Sequence, residues 1–461
     1  MTARGARALA VAAGVLFAVE VSRPAFAADG DDPTPVNAAS AGSAPVSARA
    51  PAEPGAEPTA RPSARGERGV LESARSGGRL VTGRVGKPER LDRSGYIADL
   101  RIEQALPGSG LRPGSTIRFV WEELSPSRAV RFAGDDRVLV SLTSLPTTSI
   151  WRKRLPTPAQ RSGVLLLESR GDAFVRNPSQ ASAYALEHYL LMAPRERERA
   201  AGLAYIVDLV AVAAPGLANE ALATLAAYED LATRLADGSQ IALVRIAGDE
   251  RRSLHLRAGA VDVAGQRRLE AARPELERLA SGPPPVDAAA LGALARIDGA
   301  LSAEQTKHLL SSERQELRLV GVRFADSSDE DLLLEQLTPL VQSDPSAAVR
   351  LAIVERLLDA LGAQAYEAAL RGLGDEDEAA RTEIATRIGR EGAVIVPRLK
   401  LRIYDENDAY TRNESDGAVI ALGFAGRDGT QLLKQVHEEH PDERTRKLAG
   451  LALGHFPGHE H

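Results

Sequence analysis

Apolar and polar residues alternate along four short segments, at residues 80–85, 96–102, 116–121 and 137–142, and a fifth apolar run follows at Val164–Leu167. A period of two that is bounded by turn residues predicts half-buried β-strands. Gly108 and Gly110, and then Pro113 and Gly114, supply such turns. Five short strands within residues 67–175 predict a small antiparallel β barrel or sandwich.

From about residue 180 the apolar positions recur every three or four residues, which predicts amphipathic helices. Further along, a self-similar unit recurs, and an arginine stands near its start. These arginines are Arg257, Arg318, Arg350, Arg381 and Arg446, so the gaps between them are 61, 32, 31 and 65 residues. The gaps correspond to two, one, one and two steps of about 31 residues, and such a period predicts an α-solenoid over residues 180–461.

The residues around these arginines form a motif. Asp344-Pro345 precedes Val349-Arg350, and Asp375 or Asp377 precedes Ala380-Arg381. The units end in Leu361-Gly362, Ile388-Gly389 and Leu422-Gly423. This motif resembles HEAT repeats, in the short form found in phycobilisome lyase-like proteins. The resemblance implies stacked helical hairpins and says little about function.

The β segment resembles an OB-like barrel of the netrin/TIMP type. Ala105-Leu106-Pro107-Gly108 stands where that family ends a strand in a turn, and residues 132–142 stand at its next conserved strand. Animal members are cross-linked by disulfides, whereas this chain has no cysteine. Protease inhibition by the animal TIMPs depends on an N-terminal cysteine, so the resemblance does not imply that activity here.

The N-terminus has the pattern of a secretory signal. Arg4 and Arg7 precede an apolar run at residues 8–19, and Ala25-Phe26-Ala27 offers a cleavage site. The run is shorter than the about 20 residues that cross a bilayer, so no integral membrane span is expected in the mature chain. An uncleaved anchor is the alternative. Residues 28–66, rich in Pro, Ala and Ser, predict a disordered linker. We therefore expect an exported protein, located in the periplasm, on the cell surface or outside the cell.

Composition narrows the classes of function. The chain has 63 acidic and 57 basic residues and a net charge of −6, which argues against nucleic-acid binding. The absence of cysteine excludes thiol nucleophiles, disulfides and cysteine-based zinc sites. The sequence contains no nucleophile elbow, P-loop or dinucleotide fingerprint. We therefore expect neither catalytic residues nor a cofactor.

Three groups of residues are candidates for binding. His437 and His440 are spaced to share a helix face, which makes them weak candidates for a metal site; a solvated C-terminal cap is the alternative. The arginines Arg257, Arg318, Arg350, Arg381 and Arg446 either pair with turn acids such as Asp344, Asp375 and Asp377 or form a strip for an acidic partner. Trp121 on a strand is expected in the core, and Trp151 in a turn-rich stretch is a candidate for an exposed contact.

These features favour an exported, non-enzymatic scaffold that binds a protein partner through the solenoid. One alternative is a ligand-binding β barrel with the repeats as a rigid arm. Another is a lyase-like enzyme subunit, by analogy to the repeat family. The sequence indicates neither the identity of the partner nor the oligomeric state.

Overall fold

A computed structural model describes residues 69–122, 130–146, 150–167, 174–405 and 409–455. The predicted signal peptide at 1–27 and linker at 28–66 lie outside the described residues. The described chain is a small closed β barrel followed by an α-solenoid, so the predicted fold class is confirmed. Within these ranges, no helix has the length and apolar character that spanning a membrane requires.

The described residues of the barrel segment form seven strands. They are β1 (Arg79–Val85), β2 (Glu89–Arg90), β3 (Gly95–Ala105), β4 (Thr116–Glu122), β5 (Arg137–Ser144), β6 (Val164–Leu167) and β7 (Phe174–Arg176). The five strands that the alternation predicts are all present. The pattern missed β2 and β7, because two or three residues are too few to show a period.

The helices are α1 (Val70–Arg75), α2 (Trp151–Arg154), α3 (Pro158–Arg161), α4 (Gln180–Leu191), α5 (Pro194–Arg197), α6 (Ala200–Val212), α7 (Pro215–Ala226), α8 (Leu231–Arg234), α9 (Asp237–Arg245), α10 (Leu254–Gln266), α11 (Arg273–Ala280), α12 (Val286–Asp298), α13 (Ala303–Leu310), α14 (Gln315–Phe324), α15 (Glu330–Leu337), α16 (Leu340–Ser343), α17 (Ala347–Leu361), α18 (Tyr366–Leu370), α19 (Glu378–Gly389), α20 (Val396–Ile403), α21 (Arg412–Leu422), α22 (Gly426–Glu439) and α23 (Glu443–His455).

The barrel closes in the order β1-β3-β4-β6-β5-β1, with β2 and β7 added to β3 and β5. Counting only the five barrel strands in chain order, the closed order is 1-2-3-5-4-1. The pairing between β4 and β6 is parallel, whereas the sequence led us to expect antiparallel pairing throughout. Gly108 and Gly114 turn the chain between β3 and β4 at φ angles of 83° and 79°, a conformation that favours glycine.

Aromatic rings fill the barrel. Phe119 stacks on Trp121 with ring centroids 5.1 Å apart, and Phe132 meets the edge of Trp121 at 5.0 Å. The indole Nε1–H of Trp121 donates to the carbonyl of Val130 at 2.9 Å, so its one polar group is satisfied. Trp121 is therefore a core residue, as the sequence suggested, and the interior is packed with side chains.

The solenoid contains one row of helices that pack side by side, and we call it the ladder row: α10, α12, α14, α17, α19, α21 and α23. These helices begin at residues 254, 286, 315, 347, 378, 412 and 443, so the steps are 32, 29, 32, 31, 34 and 31 residues. The predicted period near 31 is thus observed, with α12 and α21 filling the two double gaps. A second helix packs against members of the row, as in α11 with α12, α13 with α14 and α22 with α23.

The barrel and the first helices share one hydrophobic core. Leu71 of α1 and Leu139 of β5 lie in the same cluster as Leu186 of α4 and Ala221 of α7. The carboxylate of Glu220 on α7 accepts hydrogen bonds from the backbone N–H groups of Leu71, at 3.0 Å, and Glu72, at 2.8 Å. Because these N–H groups open α1 and have no partner within that helix, Glu220 acts as its cap.

Candidate interaction surface

The repeat arginines occupy one position in the ladder row. Arg318, Arg350, Arg381 and Arg446 are each the fourth residue of their helices, α14, α17, α19 and α23. Each donates from Nη1 to the backbone carbonyl six residues earlier, in the turn that precedes the helix. Arg257, fourth in α10, instead donates from Nε to the carbonyl of Ala247 at 2.7 Å. The arginine thus satisfies a turn carbonyl that the helix cannot reach.

Two of these arginines also bind the turn acid of the following unit. Arg318 donates from Nε and Nη2 to the two carboxylate oxygens of Asp344, at 2.7 and 3.0 Å. Arg350 binds Asp375 in the same way, at 2.6 and 2.7 Å, and this pairing raises the pKa of Arg350. The backbone carbonyls of Asp344 and Asp375 accept from Arg350 and Arg381, so successive units are linked in a ladder.

The contacts of Arg318 and Arg350 distinguish between the two alternatives for the repeat arginines, which are pairing with turn acids and an open strip for an acidic partner. Arg318 is 6% exposed and Asp344 is 2% exposed, and Asp375 is also buried. A buried bidentate pair has no free donor for an outside anion. Arg446 also turns inward, to the carbonyls of His440 and Pro441. The structure therefore places these arginines in pairs and turn contacts, rather than in the open strip that the sequence also allowed.

His440 stands where the earlier units have the turn acid. Its Nδ1 accepts the backbone N–H of Asp442 at 3.1 Å, as Asp344 accepts Ser346 and Asp375 accepts Asp377, in each case two residues later. Because Nδ1 is the acceptor, Nε2 carries the proton and donates to the carbonyl of Ile403 at 3.0 Å. Both ring nitrogens of His440 are therefore used inside the fold.

One ring nitrogen of His437 is also used, since its Nδ1 donates to the carbonyl of Arg446 at 3.0 Å. The described residues contain no group of three or more His, Asp or Glu side chains placed to hold a metal ion. The structure thus gives His437 and His440 separate backbone contacts and does not bring them together as a ligand pair. His459 and His461 lie outside the described residues.

The structure corrects the expectation that Trp151 makes an exposed contact. It is 3% exposed and packs with Ile97, Val120 and Val164 at one end of the barrel. The guanidinium of Arg154 lies over its ring at 4.7 Å. The turn-rich sequence suggested an exposed side chain. In the structure α2 packs the indole against this end of the barrel, where burial of apolar surface is favourable.

A second surface of the ladder row carries charged side chains that reach solvent. We call it the charged face, and it consists of Asp262, Arg296, Arg323, Glu355, Asp359, Thr386 and Arg387. Contacts cross from helix to helix along it. Arg296 on α12 binds Asp262 on α10 at 2.6 Å, and Arg387 on α19 binds Asp359 on α17 at 2.6 Å. The guanidinium of Arg296 also lies 5.3 Å from the ring centroid of Phe324 on α14.

Glu355 lies in the middle of the charged face, on α17. Its side chain is exposed, yet partial desolvation by the surrounding protein raises its pKa. The nearby Asp359 adds to the rise, and Arg387 and Arg323 oppose it. On the neighbouring helix, burial likewise lowers the pKa of the exposed Arg323. Among the described residues, Glu355 has no hydrogen-bond or ion-pair partner.

The charged face could have been found in the sequence from the positions of its residues relative to the repeat arginines. The residues five positions after the repeat arginines are Asp262, Arg323, Glu355, Thr386 and Leu451, and all are partly or fully exposed. The fourth residue of each helix points toward the preceding turn, whereas the ninth points to solvent. The repeat arginines are the most regular pattern in the sequence and were therefore selected as candidates. They recur because they stabilise the fold.

Neither a scan of protein-family models nor a search of curated proteins found a match for this chain.

Proposed function

We propose that the protein is an exported, non-enzymatic scaffold that binds a protein partner along the charged face, and that the partner presents a lysine or arginine side chain to Glu355. The observation that carries the proposal is the state of Glu355. The surrounding protein partly desolvates this exposed carboxylate, and within the described residues it makes no hydrogen bond or ion pair, although Arg387 and Arg323 attract it; its ionised form is therefore less favourable in the folded chain than in water. A cationic side chain from a partner would remove that cost on binding.

The neighbours of Glu355 support a recognition role rather than a structural one. Asp262, Arg296, Asp359 and Arg387 pair with one another across helices and hold the row together. Arg387 is further fixed by Glu391 at 2.7 Å, which itself accepts a hydrogen bond from Tyr366. Glu355 thus sits in a rigid frame, and a pre-organised site loses less entropy when a partner binds.

The spacing along the row indicates the form of the partner. Helices that pack side by side lie about 8–10 Å apart. An extended chain rises about 3.3 Å per residue, so every third residue of a partner segment would meet the next helix of the row. A segment that crosses α14, α17 and α19 would place its cation at Glu355, and an acidic residue three positions away would face Arg323.

Photo-crosslinking in the producing cell tests this proposal. A photoreactive amino acid at position 386 lies on α19 at the site equivalent to Glu355, and one at position 335 lies on the exposed side of α15, outside the ladder row. We expect a discrete protein adduct from position 386 that is weak or absent from position 335. Equal labelling from the two positions, or none from position 386, would count against the charged face.

Export is a separate part of the proposal, supported by the signal-like pattern at residues 1–27. Mass spectrometry of the protein from the cell envelope and medium tests it. A mature chain that begins at Ala28 is expected. An intact Met1 terminus in the cytosolic fraction would contradict export and would leave the binding proposal standing.

A further inference from the structure

A cleft of about 420 Å³ opens where the barrel segment meets the solenoid. One wall is α1, with Glu72 and Arg75. The other is formed by the end of α4, with Tyr189, and by α5 and the residue after it, with Arg197 and Glu198. The volume falls within the range of roughly 300–1,000 Å³ that is usual for small-molecule sites, and boundaries between structural units are where such sites often occur.

The walls of this junction cleft are fixed. Arg197 donates from Nε to the carbonyl of Met192 at 3.0 Å and from Nη2 to the carbonyl of Leu190 at 2.7 Å. Its guanidinium lies over the ring of Tyr189, which is buried at the floor of the cleft. On the opposite wall, α1 is anchored by the buried Leu71 and by the cap from Glu220.

The charges that line the cleft do not neutralise one another. Two guanidinium groups and two carboxylates converge on it, and no ion pair joins any of the four in the described structure. Arg75 and the carboxylates of Glu72 and Glu198 have no hydrogen-bond partner among the residues that the structure describes. Opposite charges that face a common space without meeting across it leave room for a molecule that carries both signs.

We propose that the junction cleft binds a small zwitterion of about the size of a dipeptide. Its carboxylate is bound by Arg75 and Arg197, and its ammonium group by Glu72 or Glu198. A simple anion would face two carboxylates and a simple cation two guanidinium groups, so neither would be matched as well. This site is separate from the charged face and does not depend on the proposed partner.

Isothermal titration of the full chain with dialanine tests the proposal, with N-acetyl-dialanine amide as the matched probe that lacks both charges. We expect dialanine to bind with one-to-one stoichiometry and the blocked peptide not to bind. Arg75→Gln should weaken dialanine binding at least about tenfold, because a charge-assisted hydrogen bond is lost. Arg427→Gln, which removes the same charge from the exposed surface of α22, should leave binding unchanged.

Three results would overturn this inference. They are no heat of binding up to about 10 mM dialanine, equal binding of the blocked peptide, or unchanged affinity in Arg75→Gln. Arg75 is exposed, so its replacement is not expected to unfold the chain, and the melting curve of each variant checks this directly. A dialanine-dependent rise of the melting temperature in the native chain, absent in Arg75→Gln, would provide independent support.

Discussion

Asp344 accepts both hydrogen bonds of the Arg318 fork, at 2.7 and 3.0 Å, although the two residues belong to successive units of the solenoid. Both side chains are buried, so water solvates neither charge well if the pair is broken. The carbonyl of Asp344 in turn accepts from Arg350, which repeats the arrangement with Asp375. The stability of one unit is therefore tied to the next through charged groups as well as through apolar packing.

Replacing Asp344 with alanine should destabilise the solenoid strongly. The change leaves Arg318 buried without its counter-ion, and breaking a buried pair in this way costs about 3–5 kcal/mol. Urea unfolding followed by circular dichroism measures the loss. The control is Asp99→Ala, since Asp99 pairs with Arg118 at 3.4 Å with a side chain that is 57% exposed, and exposed pairs contribute about 1 kcal/mol or less. Equal effects of the two changes would refute the structural role of the ladder.

The C-terminal unit lacks the ladder pair and offers a place to rebuild it. His440 replaces the turn acid, and Ser415 is the fourth residue of α21, where other helices carry arginine. The separation from 415 to 440 is 25 residues, the same as from Arg350 to Asp375. His440→Asp alone should destabilise the chain, because it buries a carboxylate without a cation. Adding Ser415→Arg should recover about 1–3 kcal/mol as a coupling between the two sites. A strictly additive double mutant would show that this unit is arranged differently.

Glu220→Ala should loosen the junction between the barrel and the solenoid. The two N–H groups at the start of α1 would lose their acceptor, and lost helix caps cost about 0.5–2 kcal/mol. Hydrogen exchange of the Leu71 and Glu72 amides should accelerate more than exchange in α17. The matched control is Glu229→Ala, an exposed acid just after α7. If the Leu71 amide is equally protected in both variants, Glu220 is not the cap.

Glu355→Gln should raise the melting temperature at pH 7 and change it little at pH 4. The folded chain raises the pKa of this carboxyl above its usual value of 4.5. A raised acid pKa contributes stability below the unfolded value, and that stability is lost as the pH rises through the folded value. Glutamine removes the ionisation, so the variant avoids that loss. Glu335→Gln on α15 serves as the control and should leave the melting temperature the same at both pH values.

The fold could be predicted from the sequence to the extent that it depends on periodic patterns. The five longer strands and the 31-residue step are repeated signals, and repetition makes them readable. The parallel pairing of β4 with β6 and the burial of Trp151 depend on contacts between distant segments, which alternation does not encode. The recurrence of the repeat arginines could be recognised in the sequence. Whether they bind a partner or bind Asp344 and Asp375 depends on distances between units, which the sequence does not give. Glu355 carries no motif, and its surroundings come from three different helices.

Glu355 is proposed to contact a cationic side chain of a protein partner. The partner captured at position 386 should be purified and its affinity measured by titration for the native chain, Glu355→Gln and Glu355→Lys. We expect Glu355→Lys to bind at least about tenfold more weakly, and Glu355→Gln to bind more weakly despite its greater stability. Affinities within about twofold of the native value for both variants would contradict the claim.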